Sequence, residues 1–176
     1  MVFAGNPGTG KTMIANLVGK LLLALELIPS SEFRTVHLNE MKGKYMGQTP
    51  HEMEKTFQRP GVYFIDEAYA MQTRDDDCYG GEIAENRRKE VVIILAGYKE
   101  EMKRLFQLNP GLASRFPWTF DFVDYSVDDL VKIGLHAAAL MKHTFTDDAL
   151  EAFRTSIGSG LNARDVRNLV ERIELC

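Results

Sequence analysis

Two kinds of hydrophobic patterning divide this chain of 176 residues: short unbroken apolar runs, and longer stretches in which apolar residues recur at helical spacing. Met13, Ile14, Leu17, Val18, Leu21, Leu22 and Leu25 fall every three to four positions and predict a helix over 11–27, with Pro29 as its stop. Residues 1–4, 62–65 and 91–96 are nearly continuously apolar, as central parallel strands are when both of their faces are covered. Residues 33–38 and 118–122 alternate instead, predicting a strand and an edge strand. Thr49-Pro50-His51-Glu52 is a capping box with proline at the first helical position, so a helix is expected through Gln58. Residues 82–90 are weakly helical, 99–107 more strongly so, and Asn109 to Phe116 read as a turn with a short helix.

After Asp124 no strand pattern appears. Helices are expected over 127–141, 147–156 and 163–175, with Ser126, Thr146 and Asn162 as their N-caps. Alternating strands and helices imply a parallel sheet with right-handed crossovers. The predicted fold is therefore an α/β domain over 1–124, a parallel sheet with helices on both faces, followed by a small helical lid over 125–176.

Composition narrows the function. The chain is long enough to bury a core, and its net charge of −4 argues against a broad basic surface for nucleic acid. Two cysteines, Cys78 and Cys176, have neither the number nor the spacing of a disulfide framework or a zinc site, which favours a reducing compartment. No apolar run approaches the roughly 20 residues of a membrane span. The expectation is a soluble intracellular protein with no membrane partner. Because Met1 already belongs to an apolar strand, the sequence reads as a piece of a longer protein.

Candidate chemistry begins at GNPGTGKT, residues Gly5, Asn6, Pro7, Gly8, Thr9, Gly10, Lys11 and Thr12. Glycines at these positions let backbone N–H groups curl around phosphate oxygens; Lys11 supplies a mobile cation and Thr12 a hydroxyl for Mg²⁺. The helix that follows directs its N-terminal dipole at the same anion. Asp66 ends an apolar strand, a position from which a carboxylate can hold Mg²⁺ through water, and Glu67 can polarise an attacking water. The acidic run Asp75 to Asp77 reads as a solvated loop, and the four histidines lack ligand spacing.

GNPGTGKT, KYMGQTPHEMEKTF, FIDEAYA, VVIILAGYKEEM, NPGLASRF and NARDVRN follow one another in this order. Together they resemble AAA+ ATPases of the CbbX and stage V sporulation protein K branch, over nearly the whole chain. The resemblance implies a P-loop NTPase sheet, ATP and Mg²⁺ as ligands, and a homo- or hetero-oligomer, commonly a hexameric ring, that remodels a protein client. Red-type Rubisco activation is one job it allows, in cytoplasm or plastid stroma. It makes Gly5 to Thr12 the Walker A loop and Asp66 with Glu67 the Walker B pair. Arg115 becomes the arginine finger for a neighbouring subunit, Arg164 the sensor 2 residue, and Tyr45 with Met46 a client-contacting pore loop.

Three departures accompany the match. The sensor 1 position falls at Gly97-Tyr98, where Tyr98 can still donate a hydrogen bond. The crossover before residue 91 is short, and the segment that helps hold adenine is not in the sequence. A nucleotide-binding scaffold or switch without turnover is accordingly the alternative function.

Overall fold

The computed structural model describes residues 1–37, 57–71, 87, 89–157 and 160–174. The elements are β1 (Val2–Gly5), α1 (Lys11–Ala24), β2 (Phe33–His37), β3 (Gly61–Asp66), a 3₁₀ turn (Ala68–Met71), β4 (Val91–Gly97), α2 (Lys99–Leu108), α3 (Pro110–Arg115), β5 (Thr119–Phe122), α4 (Val127–Leu140), α5 (Asp147–Ser156) and α6 (Ala163–Glu174). Chain contacts divide them into two compact units, Met1–Gly5 with Lys11–Phe122, and Asn6–Gly10 with Val123–Cys176.

In the first unit the five strands form one parallel sheet in the order β2-β3-β4-β1-β5. Side chains alternate between its faces, as the pleat requires. Val2, Val36, Tyr63, Ile65, Ile93 and Leu95 point to one face and pack with Met102 and Leu105 of α2 and Leu112 of α3. Phe3, Val62, Phe64, Ile94 and Ala96 point to the other and pack with Ala15 and Ile28, joined by Ile14, Val18 and Leu22 of α1. Burying each side chain of this size contributes roughly 1.5–3 kcal/mol, which is why the unbroken apolar runs become the interior strands. Gly19 of α1 is buried where a Cβ would press on Val62.

α1 departs from expectation twice. Of its two apolar stripes only Ile14, Val18 and Leu22 meet the sheet; Met13, Leu17 and Leu21 on the other are about half exposed. It also ends at Ala24 rather than at residue 27. Glu26 takes φ +56°, the Glu26 amide bonds to the Leu23 carbonyl and the Leu27 amide to Leu22. That is a Schellman closure made without its usual glycine. β5 starts at Thr119, one residue later than predicted, because Trp118 contributes only its carbonyl, which accepts from the Val2 amide at 2.8 Å. The helix expected before Gln58 falls mainly outside the described residues. Of the weak helix over 82–90, the described Arg87, Lys89 and Glu90 form a turn.

The second unit has its own core, in which Leu130, Val131 and Ala138 of α4, Phe153 of α5, and Val166 and Val170 of α6 bury together. The three predicted caps are in place. Ser126 Oγ accepts the Asp129 amide at 3.2 Å, Thr146 Oγ1 that of Ala149 at 3.4 Å, and Asn162 Oδ1 those of Arg164 and Asp165 at 2.9 and 3.2 Å. Among the described residues no helix is long and apolar enough to cross a membrane.

Candidate active site

β1 stops where only glycine fits: a Cβ on Gly5 would overlap the Phe122 carbonyl of β5. Beyond it, Lys11 opens α1 and turns its Nζ back to donate to the Gly5 carbonyl at 2.9 Å. Thr12 follows, exposed on the first turn of the helix.

Sheet order brings the acidic pair to the same edge. β4 lies between β3 and β1, and Ile65, Leu95 and Val2 share one row across the three strands. Asp66 is one residue beyond that row on β3, and Gly5 three residues beyond it on β1. With one strand between them, β3 and β1 are about 10 Å apart, and the end of β4, Gly97 followed by Tyr98, occupies the interval. Asp66, Glu67 and Tyr98 thus sit with Gly5 and Lys11 at the carboxyl edge of the sheet, where ligands of open α/β sheets bind.

Glu67 leaves β3 at φ +52°, a left-handed conformation unusual for a residue with a Cβ. Its amide donates to Asp66 Oδ1 at 3.0 Å, and this local bond helps hold the turn. Strain of this kind, of order 1–3 kcal/mol, concentrates at working sites. The Tyr69 hydroxyl, two residues on, lies near the Glu67 carboxylate. Burial and then the Glu67 charge raise the Tyr69 phenol above its ordinary pKa of 10. The Tyr69 ring lies 6.0 Å from that of Tyr98, and a Cβ on Gly97 would press on it. Tyr98 therefore belongs to a small aromatic group beside Glu67.

Thr12 and Asp66 offer a hydroxyl and a carboxylate, hard oxygen donors that suit Mg²⁺. Among the described residues no group of three or more His, Cys, Asp or Glu side chains could hold a metal. This donor set therefore fits a cation that keeps its waters and shares a substrate's phosphates, rather than one caged by protein.

In the second unit the loop Asn6–Gly10 rests on residues distant in sequence. Gly8 and Gly10 have φ of +72° and +91°, which only glycine adopts at little cost. Thr9 is buried, its Oγ1 donating to the Asn6 carbonyl at 2.8 Å. Asn6 Nδ2 donates to both Asp124 oxygens, at 3.0 and 2.9 Å, and the Tyr125 hydroxyl donates to the Thr9 carbonyl at 3.2 Å. Asn162 lies against Gly8, where a Cβ would overlap its amide group. Its own amide donates to Asp165 Oδ2 at 3.0 Å, completing a reciprocal cap. Arg164 is exposed in the first turn of α6, so its backbone is fixed close to the loop by the same asparagine.

Arg115 ends α3 on the surface of the first unit, its Nη1 donating to the Gly111 carbonyl at 3.3 Å. Tyr45 and Met46 lie outside the described residues. The sequence reading missed Asp124, Tyr125 and Tyr69. Tyr69 had a signal, since a residue two places after Glu67 must stay near it; Tyr125 had none, because its partner is 116 residues away.

The family described as "ATPase family associated with various cellular activities (AAA)" matches residues 1–123. The chain is 35% identical to a CfxQ homolog of Galdieria sulphuraria and 36% identical to protein CbbX of Cereibacter sphaeroides, each over 99% of its length. It is 33% identical to stage V sporulation protein K of Bacillus subtilis over 98%. It spans 63%, 62% and 59% of those relatives. The aligned span of 191 residues to the first two exceeds this chain's 176, so they carry residues within that span that this chain lacks. In fold it is similar to a katanin structure on the self-assembly of that protein, with a TM-score of 0.69 at 22% identity, covering 97% of this chain and 56% of that one.

Proposed function

From the premise that the chain belongs to the AAA family of ATPases, we propose that it hydrolyses ATP and couples the reaction to remodelling a protein client in a ring-shaped oligomer. The observation that carries the reading is the shared sheet edge, on which Asp66 and Glu67 end β3 two strands from Gly5 and Lys11. The loop from Gly5 to Thr12 binds the phosphates. Lys11 exchanges the Gly5 carbonyl for phosphate oxygens, a small movement for a flexible ammonium. Thr12 and Asp66 would hold Mg²⁺, which when bound neutralises charge on the β- and γ-phosphate oxygens.

Glu67 polarises a water whose oxygen attacks the γ-phosphorus. The bond from that phosphorus to the bridging oxygen breaks, ADP departs with the electron pair, and the water's proton leaves through the carboxylate to solvent. Tyr98 borders the same position, and Arg164 approaches the phosphates from α6. Arg115 acts across a subunit boundary on charge in the transition state, a contribution on the order of 10³ to 10⁵ in rate. Tyr45 and Met46 contact the client. Rubisco is the first client to test, since the resemblance is to the CbbX branch.

The experiment is Mg²⁺-dependent ATP hydrolysis against protein concentration for the wild type, Glu67→Gln and Arg115→Ala. Specific activity should rise with concentration. Glu67→Gln should retain ATP binding while losing turnover, and Arg115→Ala should stay inactive at every concentration. A wild type that binds ATP and never turns it over would replace this reading with that of a nucleotide-binding scaffold.

A further inference from the structure

Three residues distant in sequence hold the phosphate loop. Asp124 takes the Asn6 side chain, Tyr125 takes the Thr9 carbonyl, and Asn162 closes on Gly8. These fasteners all come from the helical unit, and two of them are consecutive residues. The Tyr125 ring packs against the core of α4, α5 and α6, so its hydroxyl is held by a fixed body rather than by a free side chain.

That placement acts on one peptide unit. There are no cis peptide bonds among the described residues, so the Thr9 carbonyl and the Gly10 N–H point in opposite directions across a planar group. Holding the carbonyl on Tyr125 turns the Gly10 N–H away from the Tyr125 hydroxyl. Gly10 at φ +91° accepts this orientation without a Cβ to oppose it. Successive N–H groups aimed to one side of such a turn form an anion-binding concavity.

The geometry points to Tyr125 as a positioning residue for nucleotide binding: its hydroxyl, through the Thr9 carbonyl, presents the Gly10 N–H to the polyphosphate of the bound nucleotide. The inference rests on the ATP-binding reading above and adds to it a residue outside the Walker motifs. An ordinary hydrogen bond of this type contributes little to folding, but the loss of a preset donor is felt by a ligand whose charge that donor must meet.

The test measures Kd for ATP, ADP and AMP, with the apo unfolding midpoint, for the wild type, Tyr125→Phe and Lys11→Ala. Tyr125→Phe keeps the ring and removes only the donor. It should weaken ADP and ATP by about 5- to 10-fold, the scale of one ordinary hydrogen bond, while leaving AMP within twofold and the apo midpoint almost unmoved. The Gly10 amide resonance of the apo protein should shift, a readout independent of nucleotide. Unchanged ADP and ATP affinity would overturn the inference. So would equal losses for AMP and ADP, or an apo midpoint that collapses with an unshifted Gly10 amide, since these mark a structural tether. A wild type that binds ATP no better than Lys11→Ala does would overturn the ATP-binding reading, and this inference with it.

Discussion

Asn162 lies so close to Gly8 that a Cβ on the glycine would overlap the asparagine's amide, while the same Oδ1 accepts the Arg164 and Asp165 amides at the start of α6. One side chain thus caps a helix and supports the loop read here as phosphate-binding. Gly8→Ala meets two obstacles, this overlap and a φ of +72°. The expected result is a loss of about 1–3 kcal/mol in stability and at least tenfold weaker ADP binding, read by urea unfolding and calorimetry. Normal stability with normal binding would show that Asn162 can move aside.

Asn162→Ala should remove the cap, costing about 1 kcal/mol, whereas Asn162→Asp should keep most of it. Urea unfolding of both variants separates the cap from the contact with Gly8. If aspartate proves no better than alanine, the cap is not what stabilises α6.

Ser126 ties acid stability to α4. Its hydroxyl donates to Asp129 Oδ2 at 2.6 Å and accepts the Asp129 amide, and this bond, ahead of Lys132, lowers the Asp129 pKa below its ordinary 3.8. A carboxylate whose folded pKa is depressed adds stability that is fully present above the unfolded value and fades as pH falls through the folded one. Ser126→Ala should therefore differ most from the wild type near neutrality, and the gap should narrow below about pH 4. Unfolding midpoints from pH 2 to 7 check this; a gap that is constant with pH would assign the effect to the backbone cap alone.

Tyr69→Phe keeps the ring against Tyr98 and Gly97 but removes the hydroxyl near Glu67. If the phenol helps orient the carboxylate for its water, kcat should drop by about 3- to 10-fold, the scale of one ordinary hydrogen bond, with KM within twofold. Steady-state kinetics decide the matter, and a higher kcat would mean that the phenol restrains Glu67 instead.

Gly134 lies inside α4, where a Cβ would overlap the Phe153 ring and approach Val166. Alanine is the better helix former by roughly 1 kcal/mol. Overpacking of this kind costs about 1–3 kcal/mol, so Gly134→Ala should be destabilising on balance in urea unfolding. A stabilised variant would show that Phe153 rotates away at little cost.

Local signals made much of the architecture readable in advance. Ser126, Thr146 and Asn162 announced three helix starts because a cap bonds an amide two or three residues away. The unbroken apolar runs announced interior strands, since a strand covered on both faces has no polar side to show. Asp66 was legible as a strand end, and Gly8 and Gly10 as turn positions. Helix ends were harder: α1 and α4 close through Glu26 and Lys142 at positive φ, without the glycine that usually marks such a stop.

The sequence by itself determined most of the elements, the glycine turn and the place of the acidic pair at the end of β3, because each depends on residues within a few positions of one another. The tertiary structure decided which strands are neighbours, which stripe of α1 is covered, and which residues hold the loop. Asp124, Tyr125 and Asn162 reach Asn6, Thr9 and Gly8 across more than a hundred residues, and the Thr9 contact depends on where folding packs the Tyr125 ring. No periodicity encodes such a meeting, since it depends on the packing of whole elements rather than on the spacing of residues along one of them.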